Sequence, residues 1–375
     1  MEREITGNGP LLDAGGRLRE RGWSRRPVLA YDRAAITAPA WRIKEWDYYC
    51  VLGPERGLAL TIADNGYMGF LSASVLDLAE GGHVSDSVMT AFPMGAMRLP
   101  GSSEEGKVEV SAGTTILRFE AGSGERRLFV SWPGFGAKDA PRLPRASCCG
   151  SLPPDEARPI VLRDRISGGV GLEGELVLSE IPAGESMTIA TPFAGDGRRF
   201  YYNRKVNCMS ARGSFRLGNL ETRLEPESAF GVLDWGRGVW PYANLWYWAS
   251  ASGLVGASDR PKRFGFNLGY GFGDTSAASE NALFLEGRAH KLGRLTFEID
   301  PADFLRPWRI RDEEGRLDLR LDPSFDRSSK TDLLALASIQ HQVFGTWSGR
   351  ARLDDGTELT IEGLKGFAEE VKNRW

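Results

Sequence analysis

The residues best suited to chemistry are concentrated in one stretch of the chain, residues 234–248. It holds four tryptophans and two tyrosines together with Asp234, Arg237 and Asn244. Aromatic side chains bury large areas but carry N–H and O–H groups that need partners, whereas a plain packing surface more often uses Leu, Val and Ile. This density of aromatic rings around one carboxylate and one guanidinium predicts the wall of a ligand cavity.

Asp234 is the first candidate for a catalytic residue. Inside an apolar cavity its carboxyl group could act as a general acid that protonates an alkene or a carbonyl group. Beside Arg237 it could instead form a structural ion pair or cap a turn, since structural networks also hold charges in place. The sequence favours the structural interpretation and leaves the catalytic one open.

Residues 242–248 form a strand in this interpretation, and its even-numbered side chains share one face. That face could hold an extended apolar or isoprenoid ligand. A packed interface between two domains is the alternative, because both use the same residue types. The ligand-binding residues predicted from the sequence are Arg237, Trp240, Tyr242, Asn244, Trp246, Trp248, Asn267 and Tyr270.

The three histidines, His83, His290 and His341, lie far apart in the sequence. None has the spacing of metal ligands, and neither a metal site nor a cofactor is predicted. His341 is the second candidate for a catalytic residue, as a base. The chain has neither the Gly-x-Ser-x-Gly elbow of α/β-hydrolases nor a phosphate-loop motif.

Composition narrows the possible partners. The net charge of −3 gives no reason to expect nucleic acid, because phosphate binding normally demands a basic face. No apolar run approaches the ~20 residues of a membrane helix, so no integral membrane segment is predicted. The amino-terminal residues lack a signal-peptide pattern. We therefore expect a cytoplasmic protein whose four cysteines are reduced thiols.

Apolar and polar residues alternate repeatedly, as at residues 107–112, 295–300 and 318–322. A period of two is typical of half-buried strands. Asn65-Gly66 and Asp355-Gly356 separate further strand-like runs, and these dipeptides favour tight hairpin turns. The sequence therefore predicts an all-β, mainly antiparallel fold with few short helices.

The strand-like residues 44–49 alternate charged and aromatic side chains. Trp46 and Tyr48 should face one way, and Glu45 and Asp47 the other. The charged pair could orient a substrate, but a buried salt-bridge cluster is favoured, because charges this close usually pair when buried.

Three longer-range features are predicted from spacing and composition. The apolar residues of 364–375 have the spacing of a short helix. Residues 133–159 lack periodicity and are predicted to form a long loop. The length of 375 residues predicts two domains, 1–195 and 196–375.

Several blocks occur jointly along nearly the whole chain, namely residues 41–49, 201–209, 234–238, 265–271, 275–281 and 341–345. Together they resemble a bacterial family, domain-of-unknown-function family 2804. More distantly, the layout is similar to two-domain lipocalin-like proteins such as the carotenoid 1,2-hydratases. Their Asp-His-x-Trp-Gly block corresponds here to Asp234-Trp235-Gly236, without the histidine. The resemblance implies two lipocalin-like β-barrels or curved sheets packed side by side, a shape that can hold one small ligand.

The predicted function is the binding of an apolar small molecule, a lipid or an isoprenoid, in an aromatic-lined cavity. Whether that molecule is turned over stays open. One alternative is a cofactor-independent hydratase, cyclase or isomerase with Asp234 as the general acid. The other is a non-catalytic scaffold whose blocks form the domain interface. The sequence predicts no particular protein partner.

Overall fold

The structure is a computed structural model. It describes residues 2–137, 171–193, 195, 197–257, 259–276, 278–333 and 336–374, without the side chains of residues 332, 333 and 336. Two 3-10 turns, Arg33–Ala35 and Ala40–Arg42, are the helical elements of these described ranges. All other regular structure in them is strand, so the predicted all-β fold is confirmed.

The described residues up to 239 form fifteen strands. Thirteen of them build one curved, nearly closed sheet in the order β7-β6-β5-β4-β15-β13-β11-β10-β9-β8, with β12 and β14 added to β13, and β2 to β12. The remaining two, β1 and β3, form a short parallel pair. The strands are β1 (Gly9–Pro10), β2 (Gly22–Ser24), β3 (Leu29–Ala30), β4 (Ile43–Leu52), β5 (Arg56–Asp64), β6 (Met68–Asp77), β7 (Gly82–Ala91), β8 (Gly106–Ala112), β9 (Thr115–Gly122), β10 (Glu125–Trp132), β11 (Leu172–Ser179), β12 (Met187–Pro192), β13 (Phe200–Leu217), β14 (Leu220–Leu224) and β15 (Phe230–Val239).

The described residues after 239 form a second, half-barrel sheet of nine antiparallel strands in the order β19-β18-β17-β16-β24-β23-β22-β21-β20. The long central strands β22, β23 and β24 pair along most of their length. The strands are β16 (Ala243–Val255), β17 (Lys262–Tyr270), β18 (Ala282–Leu285), β19 (Arg288–Lys291), β20 (Leu295–Glu298), β21 (Trp308–Asp312), β22 (Leu317–Leu333), β23 (Leu336–Arg352) and β24 (Glu358–Arg374).

Each sheet encloses its own apolar core, and a third apolar cluster lies between the two sheets. The third cluster exists because side chains alternate along each strand. On β4, for example, Tyr49 and Val51 point into the first sheet's core, whereas Tyr48 and Cys50 point towards the second sheet. The predicted alternation of residues 44–49 is thus confirmed, and Glu45 and Asp47 pair with buried or half-buried arginines.

Both predicted hairpins are confirmed. Asn65-Gly66 lies between β5 and β6, and Asp355-Gly356 lies between β23 and β24. The predicted helix at 364–375 is wrong, because residues 358–374 form β24, which pairs with β16 on one side and β23 on the other. A central strand is covered on both faces and loses its alternating pattern. The apolar residues on the two faces of β24, taken together, have the spacing of a helix by coincidence.

The chain passes from the first sheet to the second at residues 240–242. The boundary predicted after residue 195 falls within the part of the chain that builds the first sheet, since β13 and β15 pair with strands of that sheet. Most of the predicted loop at 133–159, with Cys148 and Cys149, lies outside the described residues. Cys50 and Cys208 are buried and form no disulfide.

Two further observations concern the described ranges. No helix in them has the length and apolar character that a membrane span requires. No group of three or more His, Cys, Asp or Glu side chains in them is arranged to hold a metal ion.

Candidate functional site

A cluster of buried polar side chains lies within the apolar layer between the two sheets. Its centre is Asp234 on β15, which is opposite Lys205 of β13 and Tyr48 of β4 in the sheet. The Asp234 carboxylate accepts a hydrogen bond from Asn203 Nδ2 at 2.5 Å. It also forms an ion pair with Lys205 Nζ at 2.9 Å.

Lys205 is the positive charge at the centre of this cluster, and its side chain is 1% exposed. Its ammonium group lies 3.9 Å from the centre of the Trp248 ring. Burial raises the pKa of two further carboxyl groups, those of Glu280 and Glu369, and the charge of Lys205 opposes the rise in both. The positive charge of one lysine therefore interacts with three buried carboxyl groups. Such an arrangement favours keeping at least one of these groups protonated.

Glu369 on β24 accepts hydrogen bonds from two neighbouring side chains. Trp246 Nε1 donates to its Oε1 at 2.8 Å, and Gln342 Nε2 donates to its Oε2 at 3.0 Å. Burial raises the pKa of Glu369 to about 7, although the hydrogen bond from Trp246 and the charges of Lys205 and Arg327 lower it. Near neutral pH the group can therefore both give and take a proton.

Glu280 is also buried and lies in the segment between β17 and β18. It accepts a hydrogen bond from the Tyr201 hydroxyl at 3.1 Å, while its Oε1 has no hydrogen-bond partner among the described residues. Burial raises the pKa of Glu280, and Asp234 raises it further. Asn267 fixes this segment, because it donates to the Glu280 carbonyl at 2.9 Å and accepts from Trp248 Nε1 at 2.7 Å.

Aromatic rings surround the cluster. The Trp240 ring lies 5.6 Å from Trp46, 5.5 Å from Tyr201 and 5.5 Å from Trp246, in edge-to-face contacts. Gly236 makes this packing possible, because a Cβ at that position would lie 2.0 Å from the Trp46 ring. The glycine of the Asp234-Trp235-Gly236 block is thus explained by close approach of a ring.

The structure brings five of the sequence-predicted residues to this layer: Asp234, Trp240, Trp246, Trp248 and Asn267. Asn244 lies at its edge and accepts a hydrogen bond from Asn373 Nδ2 at 3.3 Å. Tyr242 is 48% exposed.

The predicted pairing of Asp234 with Arg237 is wrong. Residues three apart on a strand point to opposite faces, so Arg237 lies inside the first sheet. There it is fully buried and pairs with Asp47 at 2.9 Å. It also donates to the carbonyl groups of Trp46 and Pro100. These contacts place Arg237 in the buried salt-bridge cluster that the alternating pattern of residues 44–49 predicts.

His341 and Tyr270 lie on the opposite face of the second sheet. His341 Nδ1 is 2.6 Å from Asp326 Oδ2, and its ring stacks on Phe304 with centres 3.8 Å apart. The Tyr270 ring packs against the Tyr247 ring in a tilted arrangement, with their centres 4.7 Å apart. On β23 the side chain of His341 points away from that of Gln342, which faces the layer between the sheets. On β16 the side chain of Tyr247, the partner of Tyr270, points away from that of Trp248. A role for His341 as a base stays a prediction, and the structure does not place it beside Asp234.

Further polar residues of the cluster were not among the predicted site residues: Asn203, Lys205, Glu280, Gln342 and Glu369. All except Glu369 fall inside blocks that carry the family resemblance, so that signal could have found them. Glu369 was hidden by the helix predicted around it. Its position between Trp246 and Gln342 depends on the pairing of β24 with β16 and β23.

Comparison with known proteins gives one family and several distant structures. Among solved structures, CghA has a TM-score of 0.49 with 10% identity, covering 99% of this chain and 94% of that one. Kievitone hydratase from Nectria haematococca has a TM-score of 0.46 with 11% identity, covering 92% and 95%. A putative AttH from Nitrosomonas europaea has a TM-score of 0.43 with 12% identity, covering 92% and 98%. At this distance they imply nothing about the chemistry of individual residues.

No curated protein sequence matches this chain significantly. The family described as "Domain of unknown function (DUF2804)" matches residues 2–375. The match spans almost every residue and agrees with the blocks noted in the sequence. The chain therefore belongs to the DUF2804 family.

Proposed function

We propose that the cluster between the sheets is the active site of a cofactor-independent enzyme that transfers a proton to or from an apolar small molecule. The observation that carries the proposal is the group of three buried carboxyl groups, Asp234, Glu280 and Glu369, around the single ammonium of Lys205. Pairs of titratable groups held in different environments are typical of acid–base sites.

Glu369 is the proton donor in this proposal. Its pKa of about 7 matches the requirement for a general acid or base that works near neutral pH. The sequence suggested Asp234 for this role, but the ion pair of Asp234 with Lys205 suits it better to holding the ammonium group in place. A positively charged intermediate would be stabilised by the face of Trp246, because the face of Trp248 is already occupied by the Lys205 ammonium.

The substrate class follows from the surroundings of the carboxyl groups. Tryptophan, tyrosine and phenylalanine rings line the layer, so the substrate would be largely apolar, as a lipid or an isoprenoid is. Trp246 is half-buried, as Trp46 is, and it donates a hydrogen bond to Glu369. We infer that substrate reaches Glu369 by displacing this ring, which frees the acid at the same time. Hydration, cyclisation and isomerisation are reactions that such an acid can start.

Binding without turnover is the second candidate. The aromatic layer favours it, because an apolar cavity wall and a carrier site use the same residues. A carrier has no need of Glu369 as an acid, so the two proposals differ in one residue. A scaffold without a ligand is the third possibility and predicts that no small molecule is retained.

Deuterium exchange tests the proposal. Freshly purified protein is analysed by native mass spectrometry, and any retained molecule is extracted with solvent and identified. The extract is then incubated in deuterium oxide with wild-type protein, with Glu369→Gln, or with Glu362→Gln, an exposed glutamate on the same strand. Because general acid catalysis contributes about 10²–10⁴-fold, we expect Glu369→Gln to slow deuterium uptake by about that factor. The Glu362→Gln control should match wild type.

A retained molecule that gains no deuterium and no added water with wild-type protein would contradict the catalytic proposal and favour a carrier. Equal rates for wild type and Glu369→Gln would contradict the role of Glu369. In a carrier, Trp248→Ala would weaken retention of the molecule, while Glu369→Gln would not.

A further inference from the structure

Large apolar side chains are exposed together at one end of the first sheet. Eight such side chains are exposed among the described residues. Four of them, Trp41, Phe92, Met94 and Tyr242, expose 49%, 62%, 46% and 48% of their surface. Exposed apolar residues scattered singly need no explanation, whereas several at one end of a molecule mark an interaction surface.

Backbone hydrogen bonds join the loops that carry these side chains. The amide of Phe92 donates to the carbonyl of Tyr67 at 2.8 Å, and the amide of Met94 donates to that of Gly66 at 3.0 Å. Gly66 in turn lies against the backbone of Trp41. The loop after β7 and the turn before β4 thus meet at the turn between β5 and β6.

A second set of contacts extends this surface towards Tyr242. Arg42 donates to the carbonyl of Trp240 at 3.3 Å, two residues before Tyr242. The Arg42 guanidinium also lies 5.4 Å from the centre of the Trp41 ring. The exposed end therefore includes the point where the chain leaves β15 and approaches the layer between the sheets.

Phe92 and Met94 are held in a backbone conformation that bulky residues rarely adopt, with φ of 50° and 47°. The loop is fixed there because the Asp64 carboxylate accepts a hydrogen bond from the amide of Gly95 at 2.8 Å. The strained backbone at Phe92 and Met94 holds two apolar side chains exposed to water. Strained backbone of this kind is typical of functional surfaces.

A groove of about 730 Å³ opens directly behind this loop. Its wall includes Pro93 and Met97 of the loop and Val108 and Val110 of β8. Arg98, which is exposed, lies at the same groove. Lys107 and Glu109 of β8 line the groove as well. The groove thus combines apolar side chains with two cationic groups and one carboxylate, and an acyl chain that ends in an anionic group would contact the apolar wall and the two cations.

We propose that this end of the first sheet, residues Trp41, Arg42, Phe92, Met94, Arg98 and Tyr242, docks on the surface of an anionic lipid bilayer. Tryptophan and tyrosine side chains settle at the boundary between acyl chains and headgroups, because one end of each ring is apolar and the other polar. Phe92 and Met94 insert between the acyl chains, while Arg42 and Arg98 face the headgroup phosphates. The surface stands independently of the acid–base chemistry proposed above. It would give an apolar ligand a direct route from the bilayer.

Vesicle sedimentation tests the surface. The full chain is mixed with vesicles of phosphatidylcholine alone or of phosphatidylcholine with phosphatidylglycerol, and the bound fraction is measured. The test variant is Phe92→Asn/Met94→Asn, because asparagine adopts the left-handed region more readily and should leave the fold intact. The matched control is Leu254→Asn/Leu305→Asn, which changes two exposed leucines elsewhere on the molecule.

Wild type and the leucine control are expected to bind vesicles that contain phosphatidylglycerol, more tightly than phosphatidylcholine alone. The Phe92→Asn/Met94→Asn variant should bind about tenfold or more weakly, since both inserted side chains are lost. Absence of wild-type binding, or equal binding by this variant, would overturn the inference. A second result would also overturn the inference: wild type does not bind vesicles, and sedimentation equilibrium shows that wild type is a dimer and the variant a monomer. The partner of this surface would then be a second copy of the chain.

Discussion

Replacing Glu369 by glutamine tests the electrostatics of the layer between the sheets, because the exchange keeps the shape of the side chain and removes its titration. Glu369 is 5% exposed. Burial raises its pKa from 4.5 to about 7. Between these two values the folded protein holds a proton that the unfolded chain has released, so stability falls as the pH rises through this window.

The size of the effect follows from the difference in pKa. It corresponds to about 3 kcal/mol of unfolding free energy once the pH exceeds both values. Part of this loss is already present near pH 5, so we expect wild type to lose about 2–3 kcal/mol relative to Glu369→Gln between pH 5 and pH 8. The glutamine carbonyl can still accept the hydrogen bond from Trp246, so packing against that ring is kept.

Urea denaturation of the two proteins at several pH values across this range measures the effect. The informative quantity is the difference between wild type and variant, since other titrating groups change both curves alike. Glu362→Gln, at an exposed position of the same strand, should show a difference that does not vary with pH. A difference for Glu369→Gln that is equally constant would refute the description of Glu369 as a buried carboxyl group with a raised pKa.

Three further predictions concern stability and can be measured by the same method. Arg237→Met should cost about 3–5 kcal/mol, because it leaves the buried Asp47 without its partner, whereas Arg223→Met, at an exposed site, should cost little; equal losses would contradict the ion pair. Gly236→Ala should cost about 1–3 kcal/mol, because the new Cβ meets the Trp46 ring; Gly122→Ala, where a Cβ meets nothing within 4 Å, is the control. Burial lowers the pKa of Lys44 to about 7 from 10.5, and the unfolded chain therefore binds more protons between these values. Wild type should gain about 3 kcal/mol relative to Lys44→Met from pH 7 to pH 10, and a flat difference would show that Lys44 keeps its charge in the folded state.

Local patterns in the sequence were sufficient for the fold class. The alternation at residues 44–49 assigned Trp46 and Tyr48 to one face and Asp47 to the other, as the structure has them. Asn65-Gly66 located a hairpin because its backbone requirement is met within the dipeptide itself. These properties depend on neighbours along the chain, so the sequence alone carries them.

The C-terminal strand shows where local patterns fail. Leu364 and Ala368 pack in the core of the second sheet, while Phe367 packs between the sheets. Both faces of β24 are therefore apolar, and the period of two is lost. The error also concealed Glu369, since a helix would have given that residue different neighbours.

The sequence by itself determined that this chain is an antiparallel β protein of the DUF2804 family with an aromatic-rich segment around Asp234. Only the tertiary structure decided which charges meet. Arg237 is close to Asp234 in sequence but lies on the opposite face of the strand, whereas Lys205, twenty-nine residues away, is directly opposite in the sheet. Glu369 reaches the same layer only because the second sheet packs its outer face against the first. Electrostatic interactions depend on distance and burial, and both are set by how the sheets pack.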